Sequence, residues 1–318
     1  TPLPCVGPPG QKWHSPQVSP ASTVVFMLSR PTTDPLLRPI PCIQLFNPIG
    51  IFLLYKVKLN TICKMPSSIP EPYLSLLQFI GKSGILTNNY QDKDGNTALI
   101  LATFYGYTKI ACDLIKSGVK LDIKNIYENN ALHIASQDGH TKIAHHLIEA
   151  GAKLNIKNRR GNTPLMNACI TGHSEIAQCL IKKGASLDIR NKTRWSALLH
   201  AIHNGTLDVA RQLIEAGANP HFKNNHKSTA LMYASSHGHT DIAKLLIKTG
   251  VCLDIQDKKG MTALIYACEN GHIEIAKHLI KKGANLYSKD TNGWTALRAA
   301  RCSGHKKIIS LLKKAGAK

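Results

Sequence analysis

QDKKGMTALIYACENGHIEIAKHLIKKGANLYS, residues 256–288, is the stretch on which the fold turns, because nearly the same words recur before and after it. Its Thr262 has counterparts at Thr97, Asn130, Thr163, Ser196, Thr229 and Thr295, each 33 residues from the next. An alanine stands five residues after each of them, from Ala102 to Ala300, and a glycine closes each unit, from Gly118 to Gly316. A period of this length that never slips marks a chain made of stacked copies of one supersecondary unit.

Each word has a local cause. The Thr or Ser hydroxyl caps the N-terminus of a short helix, and Pro164 sits at a first helical position, where the missing N–H costs nothing. Leu99 and Ala102, with their counterparts, share one face, and the alanine lets a neighbouring helix approach closely. Gly106, Gly139, Gly172, Gly205, Gly238, Gly271 and Gly304 then end a helix of about two turns, too short to persist alone. A second helix carries Ile-Ala-x-x-Leu-Ile, as in Ile143, Ala144, Leu147 and Ile148, which is the spacing of a wide apolar face. The residues after it, such as Leu187 to Asn191, are extended and lead into a polar turn. The units fall at 91–123, 124–156, 157–189, 190–222, 223–255, 256–288 and 289–318.

This array resembles the ankyrin-repeat family, whose period is 33 residues and whose signature word is T-P-L-H-x-A. The resemblance covers residues 91–318 with seven consecutive units. It implies an all-α solenoid of helix-loop-helix units with projecting β-turns, the turns and first helices lining a concave side. The activity it implies is that of a non-catalytic protein–protein interaction scaffold or adaptor, monomeric and without cofactors.

Departures from the pattern carry the individuality of the chain. His133 alone keeps the signature histidine, and the turn glycine of Gly95, Gly161, Gly260 and Gly293 gives way to Glu128, Arg194 and Lys227. A positive φ at those three positions costs on the order of 1 kcal/mol each. The fourth unit, with Arg194, Thr206 in place of the usual His, and Pro220, is expected to be the weakest. In the last unit Lys313 replaces an isoleucine and Arg301 a small or apolar residue, the polar outer face that a terminal cap requires.

In the family, partners contact the turns and the ends of the first helices. Carried over residue by residue, this selects Phe104, Tyr105, Tyr127, Arg159, Arg160, Lys192, Trp195, Lys258, Met261 and Trp294, with aromatic and Arg residues favoured as interface anchors. Asn155 matches the position at which ankyrin arrays can be hydroxylated on Asn. The histidines of the Gly-His word, His140, His173, His239, His272 and His305, recur once per unit and so stand too far apart to ligate one metal ion. They are expected to bond to the backbone of the adjoining loop. The candidate nucleophiles are repeated helix caps and the acids are dispersed, so an enzyme is not expected.

The chain has a formal net charge of +21. Its lysines are spread through every unit, which reads as a solvated surface, with an acidic protein among the candidate partners. The alternatives are a basic module for nucleic acid or an anionic surface, and a regulatory ankyrin fragment of a longer protein. The nine cysteines form no C-x-x-C pair, and Cys169 and Cys268 share one apolar repeat position, as reduced core thiols of a cytoplasmic or nuclear protein would. Residues 1–64 are Pro-rich and lack periodicity, and are expected to be disordered or an artefact of the gene model, with Met65 the natural start. The apolar run from Cys42 to Tyr55 is broken by Asn47-Pro48 and is shorter than the roughly 20 residues of a membrane helix. Residues 65–90, with Leu74, Leu76, Leu77 and Ile80, read as an N-terminal capping half-repeat. Gly81-Lys82-Ser83 lacks the upstream glycine of a phosphate loop, Leu76 standing in its place.

Overall fold

The computed structural model describes residues 89–318. The expected N-terminal segment and the capping half-repeat lie outside this range, apart from Asn89 and Tyr90. Among the described residues the chain is all helical, with fourteen helices in seven pairs. The first helices are α1 (Ala98–Phe104), α3 (Ala131–Asp138), α5 (Pro164–Thr171), α7 (Ala197–His203), α9 (Ala230–His237), α11 (Ala263–Glu269) and α13 (Ala296–Cys302). The second helices are α2 (Thr108–Lys116), α4 (Thr141–Glu149), α6 (Ser174–Lys182), α8 (Leu207–Glu215), α10 (Thr240–Lys248), α12 (Ile273–Lys281) and α14 (Lys306–Lys314). First helices pack on first helices and second on second, so two rows of short helices run the length of the stack.

The caps act as the sequence leads one to expect. Ser196 Oγ accepts the Leu199 N–H at 3.3 Å, Thr262 Oγ1 accepts that of Ile265 at 3.2 Å, and Asn130 Oδ1 accepts that of His133 at 3.0 Å. Each such cap is worth about 1 kcal/mol. The core runs unbroken between the rows, and Ala102, Ala135, Ala168, Ala201, Ala234, Ala267 and Ala300 are wholly buried where first helices meet. Leu132, Leu165, Leu198 and Leu264 fill the space beside them, each stabilising by about 1.5–3 kcal/mol on burial.

The Gly-His word ties one unit to the next. His173 Nε2 donates to the Gln137 carbonyl, His272 Nε2 to that of Ser236 and His305 Nε2 to that of Glu269, each at 3.1 Å. A Cβ at Gly271 would stand 2.7 Å from the His305 ring, so glycine both reverses the chain at φ 79° and leaves room for the imidazole. In the fourth unit Thr206 takes the histidine's place, and its hydroxyl reaches the Cys169 carbonyl at a long 3.4 Å. A second tie lies in the loops: Asp122, Asn155, Asp188 and Asp254 each accept, through Oδ1, a backbone N–H of the following unit at 2.8–3.0 Å.

Candidate partner-binding site

Every turn is built on one Asx side chain. Asn191 Oδ1 accepts the N–H groups of Thr193 and Trp195 at 3.0 and 2.9 Å, and Asp257 does the same for Lys259 and Met261 at 2.8 and 3.0 Å. Such bonding holds the tight turn without help from the core. Successive turns are then linked by single backbone bonds, Arg159 N–H to the Tyr127 carbonyl at 3.0 Å and Lys192 N–H to that of Arg160 at 3.1 Å among them. The turns therefore form a continuous row beside the first helices, and Arg159, Arg160, Lys192 and Lys258 project from it into solvent.

From the fourth unit to the sixth the first helices send polar rings back to these Asx residues. The Asn191 amide donates to His200 Nε2 at 3.3 Å, the Asn224 amide donates to Tyr233 Oη at 2.8 Å, and Tyr266 Oη donates to Asp257 Oδ2 at 2.7 Å. Burial and the Asp257 carboxylate together hold the Tyr266 phenol well above its ordinary range.

A run of rings spreads from this row. Trp195 stacks on His200 at 4.9 Å and meets His203 at 5.2 Å and Tyr233 at 5.1 Å. His203 in turn meets Tyr233 at 5.1 Å and His237 at 5.4 Å, and His237 stacks on His239 at 5.6 Å. Burial, and then the neighbouring imidazole, lowers the affinity of these histidines for protons: His200 falls to about 4, and His203 and His239 shift in the same direction. At neutral pH these three imidazoles are uncharged, so the run offers aromatic faces within an otherwise cationic chain.

The sequence-selected residues fall into separate groups. Trp195 belongs to the ring run. Phe104 and Tyr105 form another group in the first unit, with ring centroids 5.1 Å apart, and Tyr105 stacks on Tyr107 at 5.8 Å. Tyr127 is half-buried in its turn, and Trp294 is half-buried beneath the Arg298 guanidinium, 5.1 Å from its ring centre. Met261 is a correction. It is only 8% exposed and its side chain enters the core, because this turn position points inward, as the burial of Asn96, Asn162 and Ser228 also shows. His200, Tyr233 and Tyr266 went unselected. Their signal lies in the position four residues after each cap, which reads Leu101, Ile134, Asn167, His200, Tyr233, Tyr266 and Ala299.

Among the described residues no group of three or more His, Cys, Asp or Glu could hold a metal ion. No helix among them is long and apolar enough to cross a membrane. Cys169 and Cys268 are wholly buried, and burial pushes the Cys268 thiol up to about 12 and that of Cys169 in the same direction.

The family model for ankyrin repeats (3 copies) matches residues 73–158, 132–224, 187–257, 205–290 and 252–318. No curated protein matches significantly. Among solved structures, the ankyrin repeat domain of Bcl-3, described as a unique member of the IkappaB protein family, aligns with TM-score 0.59 and 25% identity, covering 70% of this chain and 100% of that one. The human ASB11 ankyrin repeat domain aligns with TM-score 0.60 and 27% identity over 68% of this chain and 98% of its own. An ankyrin repeat domain from Acinetobacter baumannii AYE aligns with TM-score 0.55 and 31% identity over 59% of this chain and 98% of its own. Such repeats are generally protein–protein interaction modules. With a stack of capped helix pairs, a row of Asx turns and a family match over most of its length, the chain belongs to the ankyrin-repeat family.

Proposed function

We propose that the chain is a non-catalytic scaffold that grips a protein partner on the turns and first helices of its fourth to sixth units. The observation that supports this reading best is the run of ring contacts from Trp195 through His203 and Tyr233 to His239. Rigid aromatic surface at the centre of an array is where interface energy concentrates. The cations Arg159, Arg160 and Lys192 flank it on the turns, which suits a partner with apolar or aromatic anchors and acidic residues beside them. Phe104 with Tyr105, and Trp294, are outlying contacts of the same face in this reading. A cytoplasmic or nuclear setting fits the unpaired buried thiols.

The test is affinity capture with the full chain and with His203→Ala plus His237→Ala, two exposed positions whose truncation leaves the core intact. Recovery of the main partner is expected to fall at least about tenfold. Undiminished recovery would overturn the placement of the site. A steep, linear loss of binding with rising salt on a logarithmic scale would instead favour a polyanion.

A further inference from the structure

A cavity of about 530 Å³ lies where the turns and loops of units four to six meet, and no helix residue lines it. Its lining holds four cations, Arg190, Arg194, Lys223 and Lys227, together with His221 and Phe222, and contains no Asp or Glu. Three departures from the repeat converge there. First, Arg194 and Lys227 stand where four other turns have glycine, and both keep a left-handed backbone, φ 63° and 61°. Side chains held in that region against its cost mark positions kept for something other than the frame. Glu128, with φ 59°, is the third such residue, but it forms an ion pair with Lys124 at 3.6 Å.

Second, His221 stands where Asp188 and Asp254 of the neighbouring units each accept a backbone N–H of the following unit, so the lining has an imidazole at the place of a carboxylate. Third, Gln91 and Gln256, at the position of Arg190, donate to carbonyls of the following unit at 2.9 and 2.8 Å. The Arg190 guanidinium lies instead over the Phe222 ring, 4.8 Å from its centre. That contact steadies the charge without neutralising it.

We propose that this cavity binds a phosphate monoester displayed on a protein segment. The group carries about −1.5 to −2 charges at pH 7 and three acceptor oxygens, which suit the forked donors of two arginines and the point charges of two lysines. The cations are gathered in one cavity rather than strung along a groove, which favours one compact dianion over a nucleic-acid backbone. Phe222 and Ile255 supply apolar contact for residues beside it.

The full chain is passed over beads carrying random peptides around a fixed phosphoserine, the same peptides unphosphorylated, oligo(dT), and vesicles rich in anionic lipid. Retention on the phosphopeptides is expected to exceed retention on each of the other three by about tenfold or more, as two charge-assisted contacts would give. Arg194→Gly with Lys227→Gly restores the glycines of the other turns. It is expected to remove that excess while melting at the same or a higher temperature, so a loss of binding cannot be ascribed to unfolding. His203→Ala with His237→Ala is expected to leave phosphopeptide retention unchanged, which separates this site from the ring face. Equal retention on phosphorylated and plain peptides, stronger retention on oligo(dT) or vesicles, full retention by the double-glycine variant, or loss in the histidine variant would each overturn the proposal.

Discussion

Gly260 in the sixth turn and Arg194 in the fourth occupy the same place, and the backbone around them is nearly the same. Gly260 N–H bonds the Asp257 carbonyl at 3.0 Å and Arg194 N–H bonds the Asn191 carbonyl at 2.9 Å, with φ 73° and 63°. The neighbours differ. A Cβ on Gly260 would stand 2.9 Å from both Asp290 Cα and Thr291 N, whereas Arg194 carries a Cβ beside the fifth turn. The turn itself admits either residue, and the turn stacked on it decides what a side chain costs. In the sixth unit glycine is needed twice over, for the dihedral angle and for space, while in the fourth a side chain occupies the same left-handed dihedral.

The largest test of this contrast is acid. His200 in the fourth unit has a proton affinity lowered by burial to about 4, while the sixth unit has Tyr266 at the same position. The unfolded chain binds a proton at His200 near pH 6.5 and the folded chain does not, so stability falls as pH drops from about 6.5 to 4. The His200→Tyr variant, which copies the fifth and sixth units, is expected to recover roughly 2–3 kcal/mol of the stability lost by pH 4. Urea midpoints at pH 7 and pH 4 measure it, and an unchanged difference between them would show that His200 is not the source. Next in size is Gly260→Arg, which places the fourth unit's residue under the crowded seventh turn. It is expected to cost about 2–3 kcal/mol, from the left-handed φ together with the collision. A cost no larger than that of an ordinary surface change would erase the distinction drawn between the two turns.

Smallest is the reverse exchange, Arg194→Gly, expected to stabilise by about 1 kcal/mol. Amides of α7 and α8 are expected to exchange faster than those of α11 and α12 in the unaltered chain, and the gap should narrow in the variant. Equal protection in the unaltered chain would remove the fourth unit from its place as the weakest.

The frame was legible because every repeat restates it: caps, buried alanines and helix-ending glycines each have a local cause that a sequence displays seven times. The candidate surface was legible only in part. Trp195 stood out as a single residue, but the ring run exists because Trp195, His200 and His203 of the fourth unit meet Tyr233 and His237 of the fifth. Met261 misled for a related reason. Its position holds Asn96, Ser228 and Trp294 in other units, residue types that suggest solvent, whereas the turn aims it at the core and tryptophan there is too large to be covered fully. The basic cavity needed Arg194 and His221 of the fourth unit and Lys227 of the fifth to depart from pattern together, and no one column announces it.

The row of single backbone bonds joining successive turns also has a mechanical meaning. Among the described residues the main helix contacts run within a unit and between adjacent units, so a pull on the chain loads the units in series, as it would the links of a chain. One link of 33 residues, once loosened, pays out roughly 110 Å of extended backbone, while units beyond its immediate neighbours keep all their contacts. The protein is in this sense a spring with a graded yield point, and the substitutions that decorate its fourth and fifth units also select where it gives first.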